Sequence, residues 1–279
     1  MITGIVGYGF VGKATAILSN PRNLLIYDIN SKLCKPENLE FNKLSECQII
    51  FVCVPTPMNK DGTVYTDIVV DTVNKLKQII EINCPIIVRS TVPPGLCDEL
   101  EVCFMPEFLT EKNYLDDFKN SKEWIIGYPS NMNPNQKVRI EYLFENAYKN
   151  KYISSDKIIY LRNKEAEMVK YFKNNFLSLK VSFCNEIYSF CEKRNINYEN
   201  VIKAVTLDSR ITDSHTKVPG HDGKFGYGGT CFPKDCSGLL AEFKKYDVPS
   251  YIIESCIKRN NELDRKEQEW YNDKGRAVI

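Results

Sequence analysis

The sequence predicts an α/β protein, a doubly wound parallel sheet followed by a mainly α-helical second domain. Three observations carry this. Short apolar runs alternate with longer amphipathic ones over residues 1–155, the runs are continuously apolar, and beyond residue 156 the apolar period becomes helical. Continuous apolar runs suit strands covered by helices on both faces.

The short runs fall at residues 2–6, 24–27, 49–54, 85–88 and 124–126. From 163 to about 193, Met168, Tyr171, Phe172, Asn175, Phe176, Leu179, Phe183 and Ile187 gather near one stripe, which predicts a single long central helix. Residues 198–205 and 237–246 read as helices separated by the Gly- and Pro-containing loop 219–229, and 251–271 is charge-interleaved and helix-compatible. At 279 residues the chain exceeds the usual size of one domain, so two units are expected, 1–155 and 156–279.

The 37 basic and 36 acidic residues nearly cancel and no basic run stands out, which argues against duplex nucleic acid or an anionic membrane as a partner. The longest apolar runs fall far short of the ~20 residues needed to cross a bilayer. The amino terminus passes straight from an apolar segment into a glycine turn, so no signal peptide is expected. Eleven cysteines, irregularly spaced and never in C-x-x-C, suggest neither a disulfide framework nor a metal site, and point to a reducing, cytoplasmic setting.

Gly7-Tyr8-Gly9-Phe10-Val11-Gly12 follows an apolar strand and opens an amphipathic helix, the context of a Rossmann-type dinucleotide turn. One glycine permits the turn, the second lets backbone N–H groups reach a pyrophosphate, and the third allows close helix–strand packing. Asp28 ends the second apolar run, where a carboxylate can accept from ribose hydroxyls, favouring NAD over its phosphorylated form.

Further motifs follow: Val54-Pro55-Thr56-Pro57, Ser90-Thr91-Val92-Pro93, Pro106-Glu107-Phe108-Leu109-Thr110-Glu111, and Gly226-Tyr227-Gly228-Gly229-Thr230-Cys231-Phe232-Pro233-Lys234-Asp235. In order and separation they resemble the UDP-glucose/GDP-mannose dehydrogenase family, from Met1 to about Arg265. The resemblance implies that two NAD molecules in succession convert a sugar C6 hydroxymethyl group to a carboxylate, UDP-glucose to UDP-glucuronate in the first instance. It places Gly7, Gly9, Phe10, Val11, Gly12, Asp28, Lys32, Thr56, Thr91, Glu111 and Lys234 at the cofactor. It places Glu107, Phe108, Leu109, Glu111, Lys170, Asn174, Arg210 and Gly228 at the nucleotide-sugar substrate, Arg210 reaching that of a neighbouring subunit.

An aldehyde cannot lose hydride to give an acid until its carbonyl carbon has gained a nucleophile. Cys231, after a glycine-rich turn with Lys234 nearby, is the candidate, passing through a thiohemiacetal and a thioester. Glu167, Lys170 and Asn174 share a helix face by spacing. By the resemblance Lys170 stabilises an oxyanion at C6, Asn174 holds a water or substrate oxygen, and Glu107 is the base for thioester hydrolysis. Asp235 positions a water or the Lys170 ammonium, and Thr91 organises the same site. His215 and His221 receive no role.

Family members continue into a third, nucleotide-gripping domain for which this chain has no residues left. The loop 218–225 is expected to compensate, with Lys224 near a phosphate. A homodimer through the central helix is expected, because its apolar stripe is too wide for one small domain to cover. The competing readings are a two-electron dehydrogenase of the hydroxyacid and phosphogluconate type, and a truncated, inactive paralogue that binds NAD or pairs with a full-length homologue.

Overall fold

A computed structural model describes residues 1–279. The chain forms two compact units, Met1–Thr56 with Tyr65–Lys170, and Pro57–Val64 with Tyr171–Ile279. This division differs from the expected one, 1–155 and 156–279, at residues 57–64 and 156–170.

The first unit contains β1 (Thr3–Val6), α1 (Phe10–Thr15), β2 (Leu24–Tyr27), β3 (Ile49–Val52), α2 (Asp67–Lys77), β4 (Ile86–Val88), α3 (Leu96–Glu99), β5 (Cys103–Phe104), α4 (Tyr114–Lys119), β6 (Trp124–Tyr128), α5 (Pro134–Lys149) and β7 (Ile158–Arg162). It also holds the start of α6 (Asn163–Arg194). The sheet order is β2-β1-β3-β4-β5-β6-β7. The first five strands are parallel, as expected for a doubly wound sheet. β6 is antiparallel to β5, and β7 runs parallel to β6.

Successive strand residues point to opposite faces. Ile5, Phe51, Ile87 and Met105 join one apolar cluster, and Val6, Val52, Val88 and Phe104 the other. Both faces are therefore sealed, which is why these runs carry no polar alternation. Because β2 and β3 flank β1, the strand order reverses between β1 and β3, and ligands of open α/β sheets bind at the carboxyl ends beside such a switch.

The second unit contains the rest of α6, then α7 (Tyr198–Val205), α8 (Phe232–Lys245) and α9 (Tyr251–Arg259). Residues 57–64 belong here because Met58 pairs with the carboxyl-terminal strand segment, its N–H donating to Ala277 (2.8 Å) and its carbonyl accepting from Ile279 (3.1 Å).

Two helix bounds are corrected. The helix expected at 237–246 begins at Phe232, since Pro233 is well suited to a first turn. Gly238 is interior to it: a β-carbon there would lie 2.9 Å from Val64 Cγ2 and 3.2 Å from the Tyr171 hydroxyl. The helix expected across 251–271 ends at Arg259, passes into a π turn over Asn260–Asp264, and breaks at Gln268 with φ +41°.

The buried face of α6 is mixed, with Ala166, Tyr171, Cys184 and Cys191 beside many polar groups. Glu167, Lys170, Asn174, Asn175, Ser178, Ser182 and Asn185 are buried, whereas Phe172, Phe176, Phe183 and Phe190 are between 57 and 64% exposed. A helix that buries amides, hydroxyls and charges while showing phenylalanine to solvent is not stabilised by ordinary amphipathic packing.

Candidate active site

In the first unit the glycine turn is built as its three glycines require. Gly7 has φ +89°, and a β-carbon there would lie 2.6 Å from the Cys53 carbonyl oxygen. At Gly12 it would lie 2.0 Å from the Gly7 carbonyl oxygen, so helix and turn pack backbone to backbone. At Gly9 nothing approaches within 4 Å, leaving that face open. Gly9 is also the N-cap of α1, without a capping side chain or an acidic residue in the first turn. These amides suit a phosphate anion. Phe10 and Val11 open the helix beside them.

The Asp28 carboxylate accepts from Tyr8 N–H (2.7 Å) on one oxygen and from Asn30 N–H (2.9 Å) on the other. Each oxygen keeps a second lone pair for a ribose hydroxyl, so the residues fit a dinucleotide. Thr56 is buried and Thr91 half-buried in the loops after β3 and β4, which Ser90 ties together by donating to the Val54 carbonyl (2.6 Å). Lys32 and Glu111 are exposed.

The loop after β5 carries Glu107, which is 6% exposed. One of its carboxylate oxygens accepts from Leu109 N–H (2.5 Å) and the other from the Lys170 ammonium (3.0 Å). Lys170 also donates to the Glu107 carbonyl (2.6 Å) and lies 5.9 Å from the centre of the Phe108 ring. Such a pair costs several kcal/mol per ion in desolvation, so it signals a task more than stability. Glu167 was placed on this helix face by spacing without a role. Its oxygens accept from Gly95 N–H (2.5 Å) and Cys97 N–H (2.9 Å), fixing α6 to the segment after β4, and burial pushes its carboxyl above the usual range.

In the second unit Cys231 is half-buried at the N-cap of the 14-residue α8. Helix N-termini favour negative charge. Nine of the other cysteines are buried, and burial pushes the thiols of Cys47, Cys84, Cys103 and Cys236 up to about 12. Cys53 is half-buried, with its thiol pushed up by burial to about 11. By burial, Cys231 and Cys53 stand apart from the other nine.

One turn on, Asp235 is fully buried, with Lys234 donating to one carboxylate oxygen (2.7 Å) and Asn174 Nδ2 to the other (2.5 Å). Because the amide nitrogen must face the carboxylate, Asn174 turns its oxygen elsewhere, as an acceptor for a hydroxyl or water. Asn175 donates to the Asp235 carbonyl (3.2 Å) and Ser178 to the Asn174 carbonyl (2.8 Å), holding the pair in place.

Asp235 holds the Lys234 ammonium, and Glu107 holds that of Lys170. Lys224, expected near a phosphate, is paired with Glu267 (2.9 Å). Gly228 is half-buried, and Arg210 projects into solvent with its guanidinium on Asp208 (2.5 Å).

Residues 30–148 match the NAD binding domain of the UDP-glucose/GDP-mannose dehydrogenase family, and residues 164–262 match its central domain. The chain belongs to this family. A UDP-glucose 6-dehydrogenase of Campylobacter jejuni is 31% identical over 298 aligned positions, covering 94% of this chain and 72% of that protein. A UDP-glucose dehydrogenase from the hyperthermophilic archaeon Pyrobaculum islandicum has a TM-score of 0.76 at 24% identity, over 93% of this chain and 67% of that one. A Mycobacterium tuberculosis 3-hydroxyisobutyrate dehydrogenase has a TM-score of 0.71 at 12% identity, over 94% of both chains.

The chain spans about half the length of other curated relatives that it matches. NAD is the cofactor that the family's first domain takes. No helix is long and apolar enough to cross a membrane.

Proposed function

We propose that this chain oxidises the C6 alcohol of a nucleotide sugar to a carboxylate, UDP-glucose to UDP-glucuronate, through a covalent bond to Cys231. The observation that carries this reading is the placing of Cys231. It is a half-buried thiol at a helix N-cap, one turn from the Lys234–Asp235–Asn174 network, in a chain whose other thiols are buried or pushed up by burial.

Bound NAD supplies the hydride acceptor in both oxidations. Gly7, Gly9, Phe10, Val11, Gly12, Asp28, Lys32, Thr56, Thr91, Glu111 and Lys234 form its proposed site. In the first step the alcohol passes its proton to a water positioned by Asp235 and gives up a hydride to become an aldehyde, with the Lys170 ammonium stabilising the oxyanion at C6. The Cys231 thiolate then adds to the aldehyde carbon, and the resulting alkoxide takes a proton to give a thiohemiacetal. Loss of a second hydride and the hydroxyl proton leaves a thioester. Water, deprotonated by Glu107, displaces the sulfur and frees the carboxylate. Phe108, Leu109, Gly228 and the Asn174 amide oxygen orient the sugar, and Arg210 serves a neighbouring subunit's substrate.

The test is incubation of the purified chain with NAD and a panel of UDP- and GDP-hexoses, reading NADH and product mass. Two NADH per sugar and a product that has gained one oxygen and lost two hydrogens are expected. No reduction with any sugar rejects the reading. The second reading, a two-electron oxidation of the hydroxyacid and phosphogluconate type, predicts one NADH per substrate.

The protein is further proposed to be a homodimer. Phe176, Phe183 and Phe190 recur every seven residues and so form one exposed stripe on α6. Light scattering at micromolar concentration is expected to give twice the chain mass, and Phe183→Glu to give the single chain. A monomeric parent protein rejects this.

A further inference from the structure

We propose that Asn260, Arg265 and Glu269 are positioning residues for the nucleophile, clamping with their side chains the glycine-rich main chain over residues 225–229 that leads into Cys231. The proposal rests on the reading of Cys231 as the nucleophile. A run with three glycines among Gly226-Tyr227-Gly228-Gly229 carries a large conformational entropy and has few side chains of its own to anchor it. Side chains from elsewhere in the second unit hold its backbone instead.

The contacts are consecutive. The Phe225 carbonyl accepts from Arg265 Nη1 (3.1 Å), and Gly226 N–H donates to Asn185 Oδ1 (3.1 Å). Tyr227 N–H donates to Asn260 Oδ1 (2.8 Å), while Asn260 Nδ2 donates back to the Tyr227 carbonyl (3.0 Å). Gly229 N–H donates to Glu269 Oε1 (3.3 Å). Arg265, only 3% exposed, joins the parts by donating to both Glu269 oxygens (2.8 to 3.1 Å) and to Asp222 (2.5 Å).

The clamp also explains why two of these positions are glycine. A β-carbon on Gly226 would lie 2.4 Å from Asn260 Oδ1. One on Gly228 would lie 2.1 Å from Glu269 Oε1 and 2.5 Å from Arg265 Nη2. The side chains occupy the space that substituents on the loop would need. Two residues after the last clamped amide comes Cys231, whose carbonyl accepts the first helical bond of α8 from Asp235 N–H (2.9 Å). Fixing residues 225–229 therefore fixes how the sulfur meets the helix N-terminus that favours its thiolate.

Labelling of Cys231 with iodoacetamide at neutral pH, followed by peptide mass spectrometry, tests this without any turnover. Its failure is thus distinct from failure of the dehydrogenase reading. Glu269→Ala is expected to slow labelling at least about threefold, because the released loop no longer keeps sulfur at the helix end. Glu269→Gln keeps an acceptor for Gly229 N–H and is expected to stay within about twofold of the parent. A rate in Glu269→Ala equal to or above the parent's overturns the clamp, and so does equal slowing in both variants. Labelling of the nine buried cysteines reports on folding. If Glu269→Ala exposes them, Glu269→Asp, whose shorter side chain withdraws from Gly229, is read in its place by the same criteria.

Discussion

Replacing Cys231 with serine is expected to remove the second oxidation. NADH yield per sugar should fall from two towards one, and formation of the acid should slow by roughly a thousandfold or more. Serine is among the favoured N-cap residues, so α8 keeps its start and the variant stays folded. What is lost is the nucleophile, because a hydroxyl at this position is far less acidic than a thiol. Parent-like acid formation with two NADH per sugar would show that no bond to sulfur forms.

The largest effect on stability is expected at Asp235. Asp235→Ala leaves the Lys234 ammonium buried without its carboxylate and strips Asn174 Nδ2 of its acceptor, a loss of about 3–5 kcal/mol in urea unfolding. The double variant Lys234→Met with Asp235→Ala should recover part of that loss, because the uncompensated charge is gone. If Asp235→Ala unfolds at the parent's urea midpoint, the buried pair has no structural weight.

Much of the first unit was legible because its signals are local. The strand, glycine turn, helix and Asp28 follow one another within 28 residues, and each has a physical requirement visible in residue type. β5 escaped because only Cys103 and Phe104 make ladder pairs, and β7 because its residues are only half-buried. The start of α8 lies five residues before the expected one, because Pro233 follows a glycine-rich loop and is a residue that opens a helix as readily as it ends one.

The site was legible as a set of residues and not as a set of pairs. Lys170 meets Glu107 across 63 positions and Asn174 meets Asp235 across 61, and no spacing rule spans such distances. Nor did any signal mark Asn260, Arg265 or Glu269, which sit in an ordinary-looking run of charges and amides. The polarity of α6's inner face was hidden for the opposite reason. Phe172, Phe176 and Phe183 dominate the apolar stripe that the sequence shows, and all three face outward.

The reversal of the sheet after β5 governs how Lys170 is delivered. Because β7 runs against the first five strands, α6 departs from the edge remote from the loops after β1, β3 and β4. It then climbs alongside the sheet: Asn163 Nδ2 donates to the Val102 carbonyl (2.9 Å) at the foot, Glu167 takes the Gly95 and Cys97 amides, and Lys170 arrives at Glu107. Seven residues of helix, about 10 Å of rise, act as a fixed gauge between anchor and ammonium. A single residue inserted there would swing the lysine by about 100° around the axis, so this stretch of helix admits substitution but not a change of length.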